Sequence, residues 1–362
     1  MRVLHAAYTS NPSPGVVRQM EYEQQSADSL GLEWSARMFG TIEHESSISV
    51  IPTVNPKDRA KYKNEFYQWL IGSQHNYDVL LLRYTKYDPM QIQFLSKWKK
   101  PCFFVHHTLE GPQILLEGRP FAFARVAIDN WVFSRCLKSI RGFVAMTEEI
   151  ASYELRRARN TNLPWFVYPN GISIQNETST NNKINHRSTH PNILFVAAQF
   201  IEWHGLDLLQ QSVATSNENF TIHLVGRLTD EQKITLEKDK RYQLHGRLDF
   251  QTLNSLTKRC DIGLGAFAFY RKNMSEACTL KVREYLAAGL PVYCGHKDVF
   301  PSSMPYFFHG EPNIQNILEF CARHRNTNRQ EIIEASMPWI DKKALVERLY
   351  NEIKVNLDFQ EE

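Results

Sequence analysis

Glu276-Ala277-Cys278-Thr279-Leu280-Lys281-Val282-Arg283-Glu284 runs directly into Tyr285-Leu286-Ala287-Ala288-Gly289-Leu290-Pro291-Val292. An apolar run, Asp261-Ile262-Gly263-Leu264-Gly265, precedes it. The pattern predicts a strand, a loop holding the first carboxylate, a helix opening near Thr279, the second carboxylate inside that helix, and a return to strand at Gly-Leu-Pro-Val. A helix opening offers free backbone N–H groups and the positive end of its dipole, a setting suited to phosphate. Carboxylates on either side of that phosphate accept hydrogen bonds from hydroxyl groups. The stretch therefore suits a ligand laid out as ribose, diphosphate and sugar.

The chain of 362 residues is too long for one ordinary core and fits two domains. With 43% hydrophobic and 12% aromatic residues it can fill two cores, which argues against global disorder. A net charge of +3 is too small for a dedicated nucleic-acid binder, so no nucleic-acid partner is expected. Six scattered cysteines without a Cys-x-x-Cys pair indicate neither a zinc site nor a disulfide framework, and fit a reducing compartment. Met1-Arg2-Val3-Leu4-His5-Ala6-Ala7 reads as a strand, not a signal peptide, and no run approaches the ~20 apolar residues of a spanning helix. A cytoplasmic location is expected.

The first half alternates strand candidates (Val3–Ala6, Val79–Leu82, Cys102–Val105, Phe143–Ala145, Phe166–Tyr168) with helical patterns, the signature of a parallel sheet. The polar stretch from Ser173 to Pro191 reads as an interdomain connection. The alternation restarts at Ile193–Ala197 and continues through Thr221–Val225, Tyr242–Leu244 and Asp261–Leu264. The amphipathic run Trp339–Tyr350 is expected to end the fold as a helix. The expected domains are thus residues 1–170, residues 171–337 and a terminal helical segment, 338–362. Ligands of such sheets bind at the carboxyl ends of the strands.

In the order and types of these residues the chain resembles the retaining GT-B glycosyltransferases, the "glycosyl transferase group 1" family. Besides the Glu276–Glu284 stretch, Pro169-Asn170-Gly171 is similar to the turn that opens the family's donor domain. Val225-Gly226-Arg227 resembles its strand-end glycine, and His245-Gly246-Arg247 its base-framing loop. The resemblance implies an α/β fold of two doubly wound, Rossmann-like domains facing across a cleft. It implies transfer of a sugar from a nucleotide-sugar donor to a saccharide or lipid-linked glycan acceptor with retained anomeric configuration. By the same resemblance Glu284 would hold the ribose hydroxyls, and Glu276 the donor sugar near the reacting carbon. Thr279 and Leu280 would offer backbone N–H groups, and Lys281 a cation, to the diphosphate. Arg227 and Arg247 would lie on the donor side. The final helix would cross back to the first domain. No Asp-x-Asp triplet occurs, which suits a route without metal, and no other cofactor is implied.

One departure stands out. The family's first donor-domain strand ends in Gly-Arg, with Lys-Gly some residues on, and both cations clamp the diphosphate. Here Gln199 and His204 occupy those places. A phosphate neighbour would favour protonated His204. Otherwise Lys281, Arg271, Lys272 or Arg227 substitutes, or binding is weak, or catalysis is absent.

In the first half, His106 and His107 stand at a strand end where the family carries a donor-facing histidine. Alternation lets one of them face the cleft, and His107 is preferred. Gly15 would let backbone approach a ligand, and Arg18 would reach a phosphate. Between Arg119 and Arg141, aromatic residues (Phe121, Phe123, Trp131, Phe133) interleave with five cations. That segment suits either an anionic membrane surface, at which the protein would be peripheral, or a core helix with solvated arginines. Two further readings remain beside the transferase: a nucleotide-sugar epimerase of the same architecture, and a sugar-nucleotide-binding subunit without catalysis.

Overall fold

A computed structural model describes residues 1–42, 46–51, 58–174 and 190–358. Most of the polar connection anticipated between Ser173 and Pro191, residues 175–189, lies outside the described residues. The chain divides into two compact units, one of Met1–Ser173 with Lys342–Glu362 and one of Ile174–Asp341.

The first unit is built on strands β1 (Val3–Tyr8), β2 (Trp34–Phe39), β3 (Ser49–Ile51), β4 (Val79–Arg83), β5 (Cys102–His106), β6 (Gly142–Ala145) and β7 (Trp165–Val167). Helices α1 (Pro14–Ser29), α2 (Arg59–Ser73), α3 (Met90–Lys97), α4 (Glu110–Leu116), α5 (Ala122–Cys136) and α6 (Glu148–Ala158) connect them. The sheet order is β3-β2-β1-β4-β5-β6-β7, with every pairing parallel. Strands β4 and β5 are near-continuous apolar runs because both faces of the sheet are covered. Leu80, Leu82 and Phe104 pack on α2, α3 and α5, whereas Val79, Leu81 and Phe103 pack with Ala27 of α1.

The second unit holds β8 (Asn192–Gln199), β9 (Thr221–Arg227), β10 (Tyr242–Gly246), β11 (Ile262–Leu264), β12 (Val292–Cys294) and β13 (Phe307–His309). Its helices are α7 (Leu206–Ala214), α8 (Asp230–Leu236), α9 (Phe250–Thr257), α10 (Leu280–Ala287), α11 (Ile314–His324) and α12 (Arg329–Ile340). The order β10-β9-β8-β11-β12-β13 is again wholly parallel. In each sheet the strand order reverses beside the first strand, between β1 and β4 and between β8 and β11. Ligands of open α/β sheets bind at the strand carboxyl ends at such a point.

The run Trp339–Tyr350 is not one helix. It breaks at Asp341, which is extended, and the last helix, α13 (Lys342–Asp358), starts after it. Leu345, Val346, Leu349 and Ile353 of α13 cover the same sheet face as α1. Lys342 anchors this return. Its N–H donates to the Ile172 carbonyl at 2.9 Å, and its buried ammonium lies 4.3 Å from the Tyr168 ring centre.

Beside that lysine the first unit buries a carboxylate. Glu23 receives the Trp34 indole N–H at 2.8 Å and the Tyr168 hydroxyl at 3.0 Å, and pairs with His5 Nδ1 at 2.7 Å. Burial works to raise its pKa, but His5, Lys342 and the hydrogen bonds outweigh it and hold the carboxyl below its ordinary range. Glu23→Gln keeps the shape and removes the charge, so it should cost about 1–3 kcal/mol in urea unfolding at neutral pH. A depressed carboxyl contributes stability above its unfolded pKa and loses it as pH falls through the folded one. The deficit of Glu23→Gln should therefore shrink as pH is lowered below the ordinary value of 4.5.

Candidate functional site

At the β8–β11 reversal, three contacts fix the orientation of α10. Gly263 of β11 admits the Tyr285 ring, since a Cβ there would lie 2.4 Å from it. The Tyr285 hydroxyl accepts the Val196 N–H at 2.9 Å, just where the β8–β9 register breaks between Val196 and Gln199. On another side Arg283, fully buried, forms a two-pronged ion pair with buried Asp298 and lies 5.1 Å from the Phe300 ring centre. Arg283 is thus structural, whereas Glu284 next to it is exposed.

Thr279 stands at the opening of α10 in extended conformation, and its side chain does not cap the helix. Its buried Oγ1 has no hydrogen-bond partner. Leu280 begins the helix, so its N–H belongs to the first turn, which has no intrahelical acceptors. Lys281 shares the Tyr285 face at i and i+4. Its ammonium is buried without a hydrogen bond, 5.4 Å from the Phe195 ring centre. Burial lowers its pKa to about 7, against the opposing pull of Glu284. Lys281 is therefore not a solvated surface lysine.

His204 lies in the turn between β8 and α7. It is buried against Phe195, Phe200 and Trp203, and its Nδ1 accepts the Ile201 N–H at 3.1 Å. The turn that carries it is pinned by backbone bonds from Phe267 and Ala268 to the His204 and Trp203 carbonyls. Burial, then Lys281, push its pKa down to about 3, so in the free protein His204 is a neutral acceptor, not a cation. Arg271 is also engaged, with Asp207 at 2.7 Å and the Glu202 carbonyl at 2.7 Å. Lys272 lies 4.7 Å from the Trp203 ring centre. Gln199 and Arg227 are both exposed and paired side by side at the ends of β8 and β9. Gly226 serves backbone packing, because a Cβ there would fall 1.7 Å from the Ala197 carbonyl oxygen. Arg247 is exposed just beyond β10. Glu276 sits in the loop before α10, where its backbone pairs with that of Lys297 beyond β12 in a single parallel β-bridge.

In the first unit the two histidines separate. His106 is fully buried against Tyr84 and Phe143, with Nδ1 3.5 Å from Glu154 and 3.6 Å from Glu110. Such a group does not face an open surface. His107 lines a hollow of about 240 Å³ with Tyr8, Arg83, Thr85, Lys86 and Glu110. Burial, then Arg83, hold the His107 pKa well below its ordinary value, so the ring is neutral. Gly15 and Arg18 lie in the first turns of α1, beyond the carboxyl end of β1, with Arg18 exposed. Among the described residues no three His, Cys, Asp or Glu side chains gather as metal ligands would.

Sequence reasoning missed Tyr285, Asp298 and His296. A glycine inside a strand, Gly263, was the one legible sign that a ring approaches there. His296 is fully buried, its Nε2 has no partner, and burial lowers its pKa to about 4.

No family model matches the chain, and no curated protein does. Solved structures do match. The lipopolysaccharide outer core galactosyltransferase WaaB superposes with a TM-score of 0.66 at 12% identity, over 98% of this chain and 100% of that one. The architecture is that of the GT-B glycosyltransferases. Anabaena HepE with UDP-glucose gives 0.62 at 13%, over 98% and 100%. A Rickettsia africae glycosyltransferase gives 0.62 at 13%, over 98% and 99%. A Listeria monocytogenes structure assigned as a UDP-N-acetylglucosamine 2-epimerase gives 0.51 at 10%, over 99% and 97%.

A buried ammonium without a partner destabilises the fold that holds it. Replacing Lys281 by the similarly long, apolar Met should raise the melting temperature of the ligand-free protein by about 2–6 °C at neutral pH. Because the folded pKa of about 7 lies below the ordinary 10.5, the gain should be complete below about 7 and fade as pH approaches 10.5. Scanning calorimetry across that range checks both sign and window.

Proposed function

We propose that the chain is a glycosyltransferase whose second unit binds a nucleoside diphosphate sugar at the opening of α10. The observation that carries this reading is Lys281, a buried ammonium without a hydrogen bond, in the first turn of a helix without a side-chain cap and three residues before an exposed Glu284. A diphosphate would supply the missing partner of the ammonium and take the first-turn N–H groups of Leu280 and Lys281. Glu284 would accept from both ribose hydroxyls. Likeness to HepE, solved with UDP-glucose and with UDP, makes uridine diphosphate the first nucleotide to test.

In the proposed reaction an acceptor hydroxyl oxygen bonds to the anomeric carbon as the bond from that carbon to the diphosphate oxygen breaks. The hydroxyl proton passes to the departing diphosphate on the same face, which retains configuration. Lys281 and the helix opening stabilise the growing negative charge, so the route needs no divalent cation. Glu276 orients the sugar. The acceptor is read as a saccharide or a lipid-linked glycan, with the hollow around His107 and Arg83 as its place on the first unit.

Two other readings are each favoured by an observation. The Listeria likeness favours a nucleotide-sugar epimerase. Neutral His204 and uncharged Gln199, in place of two cations, favour a binding subunit without turnover. Following UDP-N-acetylglucosamine and UDP-glucose by NMR, with and without mixed glycan acceptors, separates the three. Sugar transfer, epimerised donor and unchanged donor are the respective signatures.

By isothermal calorimetry, Glu284→Ala should weaken UDP binding about tenfold or more, as expected for two lost charge-assisted hydrogen bonds. Glu276→Ala should leave UDP affinity nearly intact and lower turnover. Equal losses of UDP affinity in both variants would reverse the assigned roles.

The pH dependence of UDP binding should report Lys281 and not His204. Affinity should rise as pH falls through about 7, because a protonated ammonium is what the diphosphate binds. Lys281→Arg, permanently charged, should flatten that slope, and His204→Gln should leave it in place. A slope lost in His204→Gln but kept in Lys281→Arg would transfer the role to the histidine.

A further inference from the structure

The segment that sequence alone left open, Arg119–Arg141, is resolved by its packing. Along α5 the side chains of Asp129, Val132, Phe133 and Cys136 are buried, at i, i+3, i+4 and i+7, and they face the core of the first unit. The opposite face should therefore be polar. Instead it presents Phe123, Ala124, Ala127, Ile128 and Trp131, all exposed. Phe121 and Phe123 are 83% and 82% exposed. Leu115 and Leu116 at the end of α4 extend the patch, so six of the twelve large apolar side chains exposed among the described residues lie within 17 positions, 115–131.

The backbone holds this surface outward at a cost. Phe121, which precedes α5, sits in the left-handed region at φ 60°, ψ 35°, an unusual conformation for a bulky residue. Such strain concentrates at functional positions. No core contact explains it here, since the ring projects into solvent.

Charge decides what covers the patch. Between Gly118 and Arg141 the chain carries Arg119, Arg125, Arg135, Lys138 and Arg141 against a single carboxylate, Asp129, and of these cations Arg119 pairs with Glu117 at 3.5 Å. Asp129 is buried and paired with Arg157, so it does not offset the surface cations. The Arg135 guanidinium lies 5.7 Å from the Trp131 ring centre, and Arg125 lies 5.4 Å from that of Tyr87. Cations beside an aromatic-rich apolar face are the composition of a helix lying in a lipid interface. A second copy docking through the same face would bring its own cations against these. Among the described residues no helix is long and apolar enough to cross a membrane, so the contact is one of lying on the surface.

We propose that the outer face of α5, with the Leu115–Phe121 approach to it, is a docking surface for an anionic lipid bilayer. Phe121, Phe123 and Trp131 enter the acyl boundary while Arg135, Lys138 and Arg141 meet the headgroups. The proposal stands independently of what the second unit catalyses.

The test is co-sedimentation of the whole chain with vesicles of phosphatidylcholine containing phosphatidylglycerol, alongside vesicles of phosphatidylcholine alone. Binding is expected on the anionic vesicles and weakened by salt. It should fall about tenfold or more in Phe121→Ser/Phe123→Ser and again in Trp131→Ser, from the lost apolar burial. Arg135→Gln/Lys138→Gln should lose about fivefold per cation on anionic vesicles only. Phe250→Ser, an equally exposed phenylalanine of the second unit, should change nothing. Unaltered melting temperature and UDP affinity in solution show that the variants fold. The proposal is overturned by absence of sedimentation, by equal binding to neutral vesicles, or by indifference to the α5 variants. It is equally overturned if the variants disperse a concentration-dependent dimer, or abolish binding to a single-stranded oligonucleotide, while vesicle binding persists.

Discussion

A tyrosine hydroxyl on a broken strand edge sets the geometry of the second unit. The Val196 N–H, at the residue where the β8–β9 register begins to slip, is accepted by the Tyr285 hydroxyl. The ring can reach that far only because Gly263 has no side chain. The helix is thereby fixed about its own axis, with the ion pair of Arg283 and Asp298 preventing rotation on the other side. Everything assigned to α10 follows from that fixed angle: Lys281 turns under the strand ends, and Glu284 turns out.

That arrangement also explains why the site is electrostatically unfinished. Lys281 is sheltered by Phe195, and the histidine beside it is neutral and already hydrogen-bonded. Gln199 offers dipoles without charge. On the proposed reading the free site carries modest charge, and a bound diphosphate would complete it by drawing in a proton.

The parallel sheets were legible because their central strands are buried on both faces and read as unbroken apolar runs. Phe103–Val105 and Ile193–Phe195 are of that kind. Strand β2 was not legible, because Trp34-Ser35-Ala36-Arg37 mixes polar residues into a strand near the sheet edge, and Arg37 finds its partner in Gln24 of α1. Strand β13, three residues long, and the weakly patterned α12 also escaped, as did α11 despite its clear apolar face of Ile314, Ile317, Phe320 and Cys321. Within the candidate site, residue types, spacing and the family resemblance singled out Lys281, Glu284 and Thr279 as candidates. They did not show that His204 is neutral, since that depends on the rings of Phe195 and Phe200 and on the Ile201 N–H, which only the folded turn brings together. The choice between core and surface for Phe121 and Phe123 was likewise undecidable from an aromatic helix apolar on two sides.

The return of α13 to the first sheet has a consequence for synthesis on the ribosome. The face formed by Val3, Val79 and Phe103 is only half covered by α1, and the rest of its cover comes from Leu345, Val346, Leu349 and Ile353. Those residues follow the whole of the second unit, Ile174–Asp341, in the chain. At ordinary elongation rates the first unit therefore waits about 10–30 s with an apolar sheet face open to its surroundings. The second unit, whose residues are contiguous, is able to close first. The order of closure is then expected to run against the order of translation, with that apolar face exposed until α13 emerges.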